Sequence, residues 1–121
     1  MRYWFADCQL NTEHYTLYRA DRAIQLRPQE YRVLTYLLAH RQRVVSKQEL
    51  AETCWLYQAV SDNAVESCIK RVRRTIGDGG RAQRMIETRY GCGYQFIAPV
   101  VPSHPRADHR LSQAWTRVLN G

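Results

Sequence analysis

No stretch of this sequence approaches the ~18 consecutive apolar residues that a membrane-spanning helix needs, so a membrane role is not expected. The opening Met1-Arg2-Tyr3-Trp4-Phe5 is too brief an apolar run before Asp7 for a secretory leader, and it reads as a first strand. The four cysteines, Cys8, Cys54, Cys68 and Cys92, form no CxxC pair. His14, His40, His104 and His109 complete no zinc-ligand spacing with them. Reduced thiols in a cytoplasmic protein are therefore expected, with no metal and no cofactor. A P-loop, a GxSxG elbow and a Cys/His pair at catalytic spacing are all missing, which argues against an enzyme. Internal repeats and low-complexity tracts are absent as well.

The 121 residues suffice for one ordinary domain with a core of its own. Apolar residues make up 45% and charged residues 24%, the balance of a globular chain. Lysine is scarce: 16 of the 18 cationic side chains are arginine, and the net charge is +7. A basic balance favours polyanionic partners, because neutralising phosphates releases counterions. Arginine adds bidentate contacts to phosphate or guanine.

Residues 3–26 carry strand patterning. Tyr3 and Phe5, Tyr15 and Leu17, and Ile24 and Leu26 recur two apart, with a polar turn at Ala20-Asp21-Arg22. A small antiparallel sheet with one buried face is expected. Pro28 suits the first position of a helix over 28–41, whose Val33, Leu34, Leu37 and Leu38 form one stripe. Arg27 is a poor cap for it. Ser46-Lys47-Gln48-Glu49 is a capping box for a second helix to about Cys54, anchored by Leu50 and Trp55. Ser61 or Asp62 caps a third helix that runs to Ile76, where Gly77-Asp78-Gly79-Gly80 stops it. Residues 85–88 and 94–97 then flank Arg89-Tyr90-Gly91-Cys92-Gly93 as a hairpin with glycines at its tip. Pro99, Pro102 and Pro105 mark a stiff linker over 99–107. A last amphipathic helix over 108–121 carries Leu111, Ala114, Trp115, Val118 and Leu119. Its apolar stripe either packs back on this domain or serves as a dimer contact or a junction to a further domain; of the partners a second copy of the chain is expected.

The third helix carries the chemistry. At roughly 100° per residue, Val65, Ile69, Val72 and Ile76 form an apolar stripe. Asn63, Ser67, Lys70, Arg71 and Arg74 gather on the nearly opposite side, a polar, cationic face without a carboxylate. Lys70, Arg71 and Arg74 suit phosphates or guanine edges, Asn63 suits adenine, and Ser67 is short enough for a close backbone approach. A solvated cationic surface helix has the same composition. What tips the balance is context: a helix, a short loop and a cationic helix make a helix-turn-helix. The hairpin that follows is placed as a wing, with Arg89 within reach of a minor groove or phosphate.

These segments together resemble the OmpR/PhoB-type winged-helix domains of bacterial transcription regulators. Leu26-Arg27-Pro28-Gln29-Glu30 through Leu38 is similar to the family's first helix. Val44 to Leu50 followed by Trp55 is similar to its second, and Val60 to Val65 with Ile69 to Arg74 to its recognition helix. Ile86-Glu87-Thr88 with Gly91-Cys92-Gly93-Tyr94-Gln95-Phe96 is similar to its wing. The likeness runs in register over about residues 3–98.

It implies an α+β fold: an N-terminal antiparallel sheet, three helices and a C-terminal hairpin, here with an extra C-terminal helix. It implies sequence-specific binding of double-stranded DNA, the third helix in the major groove and the wing on the minor groove or phosphates. It also implies a contact to RNA polymerase through the 56–60 loop, and pairing of copies on direct repeats.

Three features depart from the family. Arg27 stands where Thr is usual before the first-helix proline. Tyr90 stands where the wing commonly has Arg, with Arg89 one step earlier. The family's N-terminal receiver domain is not expected ahead of a first strand that opens at residue 3, and the chain reads either as a stand-alone protein or as the front of a larger regulator. The competing reading is a degenerate winged helix that serves as a protein–protein adaptor, for which three cations on the recognition face are unexpected.

Overall fold

The computed structural model describes residues 1–55, 59–79 and 84–103. Residues 56–58 of the expected polymerase-contact loop, and the terminal helix expected over 108–121, lie outside the described residues. In chain order the elements are β1 (Arg2–Phe5), β2 (Cys8–Asn11), β3 (Thr16–Arg19), β4 (Arg22–Gln25), α1 (Pro28–Ala39), α2 (Lys47–Cys54), α3 (Asp62–Ile76), β5 (Ile86–Arg89), β6 (Gly93–Phe96) and β7 (Val101–Ser103). They fall into two compact units, one holding Met1–Leu26 with residues 99–103, the other Arg27–Ala98.

The first unit is an antiparallel sheet in the order β4-β3-β2-β1-β7. Pairing Phe5 with Cys8 and Leu10 with Leu17 lines up four buried side chains on one face. The one-faced pattern expected from sequence fails at β1, where Trp4 on the opposite face is only 3% exposed. Asn11, also buried, accepts from the backbone N–H of Glu13 and His14 through Oδ1, which closes the turn after β2. Ala6, Tyr15 and Ala20 take positive φ in the tight connections of this sheet.

The extended linker placed over 99–107 is corrected in its first part. Val101 pairs with Trp4, Pro102 with Tyr3 and Ser103 with Arg2, so these residues add an edge strand. Proline is tolerated there because an edge position need not donate to the ladder.

In the second unit, α1 buries Val33, Leu34, Leu37 and Leu38 as its stripe requires, and Glu30 with them. Arg27 gives no side-chain cap, and Pro28 opens the helix. The helix ends at Ala39 rather than at residue 41. His40 leaves helical geometry, and Arg41 folds its guanidinium back onto the Leu38 carbonyl.

Ser46 Oγ caps α2 by accepting from Glu49 N–H at 3.0 Å. The expected return contact of Glu49 to Ser46 is replaced. Its carboxylate takes a two-pronged ion pair from Arg43, at 2.8 and 2.6 Å, and a hydrogen bond from the Tyr36 hydroxyl. Charge-assisted bonds of this kind are the stronger choice. They hold the Glu49 carboxyl down to about 2, the Arg43 bond contributing most and the Tyr36 bond next.

Of the two caps open for α3, Ser61 is the one used, accepting from Ala64 N–H at 3.2 Å. Gly77 ends α3 in the left-handed conformation, φ 85°. Val65, Cys68, Ile69, Val72 and Ile76 make the buried face. Among the described residues no helix is long and apolar enough to cross a membrane.

Candidate nucleic-acid interface

The buried stripe of α3 fixes what its other side presents. Asn63, Ser67, Lys70 and Arg74 are all exposed and share one face. Arg71, placed on that face from sequence, sits at its edge. Its Nε lies 3.2 Å from Glu30 Oε1 of α1, although the side chain remains 44% exposed. Glu30 is buried, so the pair gives a sunken carboxylate its counter-charge and ties α3 to α1.

Arg73, half-buried, lies off this face and turns toward the wing. Its Nε and Nη2 donate to the Ile86 carbonyl at 3.2 and 2.8 Å, and Nη2 donates to Thr88 Oγ1 at 2.7 Å. Its guanidinium also lies 5.7 Å from the centre of the Tyr94 ring. Burial pushes its pKa below the ordinary arginine value. This arginine is the clamp between the helix and the wing.

Asp78 makes a second link. It is buried, and its carboxylate accepts from three backbone N–H groups, those of Arg84, Met85 and Ile86, at 2.8, 3.0 and 2.8 Å. It thereby sets the entry of the chain into β5. Composition marked Asp78 only as part of a glycine-rich stop. An acidic residue at the close of one element and a few residues before the next strand was the available signal.

The wing is fastened on its other side by Val45. Val45 and Tyr94 exchange both backbone hydrogen bonds at 2.8 Å, a bridge outside the hairpin proper. Gly93 permits it: a Cβ there would stand 2.1 Å from the Val45 carbonyl oxygen.

Arg89 opens the hairpin turn rather than standing at its tip. It is the last residue of β5, paired across to Gly93, and its Nε lies 3.3 Å from Glu87 of its own strand. The tip is Tyr90-Gly91-Cys92.

Between the start of α2, α3 and the wing runs an open groove whose lining includes Lys47, Gln48, Lys70, Arg73, Arg89 and Tyr90. Its acids are partly answered: Lys47 Nζ meets Glu66 Oε1 at 2.5 Å. That contact holds the Glu66 carboxyl below its usual range and pushes the Lys47 ammonium up. Sequence spacing does not mark Lys47 as a groove residue, because it sits in the first turn of a different helix.

The cysteines are all free thiols, Cys8, Cys54 and Cys68 buried and Cys92 exposed. Burial foremost pushes Cys8 up to about 12 and Cys68 to about 11, which leaves both protonated near neutral pH. Among the described residues no group of three or more His, Cys, Asp or Glu side chains is placed to hold a metal.

The family described as "Transcriptional regulatory protein, C terminal" matches residues 21–96. The transcriptional regulator HilA of Salmonella typhi is 35% identical over 106 residues, which is 88% of this chain and 19% of that protein. The phosphate regulon regulatory protein PhoB of Escherichia coli K12 is 31% identical over 77 residues, 63% of this chain and 33% of PhoB. The crystal structure of the response regulator DrrB, an OmpR/PhoB homologue from Thermotoga maritima, superposes with a TM-score of 0.73 at 32% identity, covering 79% of this chain and 44% of DrrB. The chain thus spans about a fifth of HilA, a third of PhoB and under half of DrrB.

Proposed function

Because this chain belongs to the OmpR/PhoB-type winged-helix DNA-binding domains that form the C-terminal family of transcriptional regulatory proteins, we propose that it reads duplex DNA with α3 in the major groove and the β5–β6 wing on the adjoining minor groove or phosphates. The observation that carries this reading is the exposed face of α3. Asn63, Ser67, Lys70 and Arg74 stand together on it, on a helix anchored by its buried opposite stripe and by the Arg73 clamp to the wing.

Asn63 is suited to the paired donor and acceptor of an adenine edge, and Arg74 to guanine or phosphate. Lys70 suits phosphate as a compact charge. Arg71 remains a phosphate contact only in part, since Glu30 shares its charge. Arg89, which Glu87 shares in the same way, contributes as a surface cation at the edge of the wing.

The role is non-catalytic recognition in the bacterial cytoplasm. RNA polymerase is the partner proposed for the 56–60 loop, and a second copy of the chain the partner proposed for residues 108–119.

Selection of bound sequences from a random duplex pool tests the reading. Convergence on a motif, with excess random duplex unable to displace it, is the expected result. Recovery of unenriched sequence at every round would overturn it in favour of a protein–protein adaptor.

A further inference from the structure

The tip of the wing is built to display one aromatic side chain. Cys92 N–H donates to the Arg89 carbonyl at 2.9 Å, closing a four-residue turn with Tyr90 and Gly91 at its corners. Gly91 supplies the positive φ, 77°, that the third position of a type II turn requires. Tyr90 occupies the second position, the outer corner, and is 89% exposed, the most exposed large hydrophobic side chain among the described residues.

Its setting is stiff. β6 is fastened to Val45 by two backbone hydrogen bonds, and β5 is gripped by Arg73 and entered through the Asp78 carboxylate. A turn on such a mount fixes the backbone of its corner residue before any ligand arrives, so that only the side chain of Tyr90 remains to be ordered on contact. Tyr90 also lies on the groove that runs past Lys70 and Arg89. The neighbouring cation is partly neutralised, because Arg89 lies against Glu87. The tip therefore offers DNA a flat amphipathic ring and a hydroxyl rather than a free charge.

Resting on the DNA-binding reading above, we infer that Tyr90 is the minor-groove specificity residue of this wing and acts without ionic contact. The ring packs against the sugar walls of the minor groove, and the hydroxyl donates to the acceptors on its floor, adenine N3 or thymine O2. An uncharged side chain gains little from the deepened negative potential of a narrow A·T tract, which attracts arginine. The signature is then a contact that salt does not weaken.

The test uses the full chain and a duplex selected by it from a random pool, with equilibrium affinity measured over a series of salt concentrations. Tyr90→Ala is expected to weaken binding at least about five-fold at every salt concentration, leaving the slope of log affinity against log salt unchanged. Tyr90→Phe keeps the ring and is expected to recover most of the affinity while relaxing the choice of base under the wing. Tyr90→Arg is expected to steepen the slope by roughly one and to favour A·T-rich flanks. Unaltered affinity and flank preference in Tyr90→Ala, with the selected duplex still bound, would overturn this inference and leave the DNA-binding reading standing. Failure of the unaltered chain to bind any selected duplex would overturn both.

Discussion

Arg73 and Tyr94 face one another across the seam between α3 and the wing, guanidinium to ring centre 5.7 Å. The same guanidinium donates to Ile86 and Thr88, so one side chain crosses from α3 to the hairpin. Arg73→Ala should lower stability by about 1–3 kcal/mol, because the Ile86 carbonyl loses its charged donors. Arg73→Lys should rescue little, since an ammonium lacks the planar fork that serves two acceptors and the ring together. Urea unfolding of the three proteins checks this ranking. Equal midpoints would remove Arg73 from the clamp.

Two glycines of the wing should respond differently to the same substitution. At Gly91 a Cβ meets nothing within 4 Å, so Gly91→Ala costs only the backbone strain of a positive φ, about 1 kcal/mol. At Gly93 the φ is 144° and a Cβ would collide with the Val45 carbonyl oxygen. Gly93→Ala must also break the Val45–Tyr94 bridge, and its loss should exceed that of Gly91→Ala by 2 kcal/mol or more, on the order of two buried hydrogen bonds. Thermal melts of the two variants decide; similar melting temperatures would count against the bridge.

Acid should single out Glu49. Its carboxyl is held at about 2, below the ordinary 4.5, by Arg43 first and Tyr36 second. A depressed carboxyl contributes stability that is full above the unfolded value and is lost as pH falls toward the folded one. The stability gap between the unaltered chain and Glu49→Gln should therefore be constant above about pH 5 and shrink between pH 4.5 and 2. Denaturant midpoints at stepped pH measure the gap. A gap independent of pH across that window would mean that the Arg43–Glu49–Tyr36 cluster is not what Glu49 contributes.

Much of this fold is legible in the residues because burial imposes a period. The stripe Val65, Ile69, Val72 and Ile76 could be read from spacing alone, and with it the opposite face of Asn63, Ser67, Lys70 and Arg74. Caps were legible for the same local reason, as Ser46 and Ser61 show. What escaped depends on partners far along the chain. Nothing near Arg71 or Arg73 announces that one turns to Glu30 and the other to Ile86, separating neighbours of like charge into different tasks. Glu49 was placed by a local rule and is claimed instead by Arg43 and Tyr36, which come together only in the folded chain. Strand β7 hid behind Pro102, a residue that marks a linker until an edge strand is there to accept it.

The most direct test of α3 as the reading helix is the salt dependence of duplex binding in the Lys70→Ala/Arg74→Ala double variant. Both side chains are exposed and stand off the buried stripe, so the fold should survive, as circular dichroism can verify. Against a duplex selected by the unaltered chain, the double variant should bind more weakly at every salt concentration. Its log–log salt slope should flatten by roughly one for each phosphate contact removed. Unchanged affinity and unchanged slope in a folded double variant would contradict the assignment of this face to DNA.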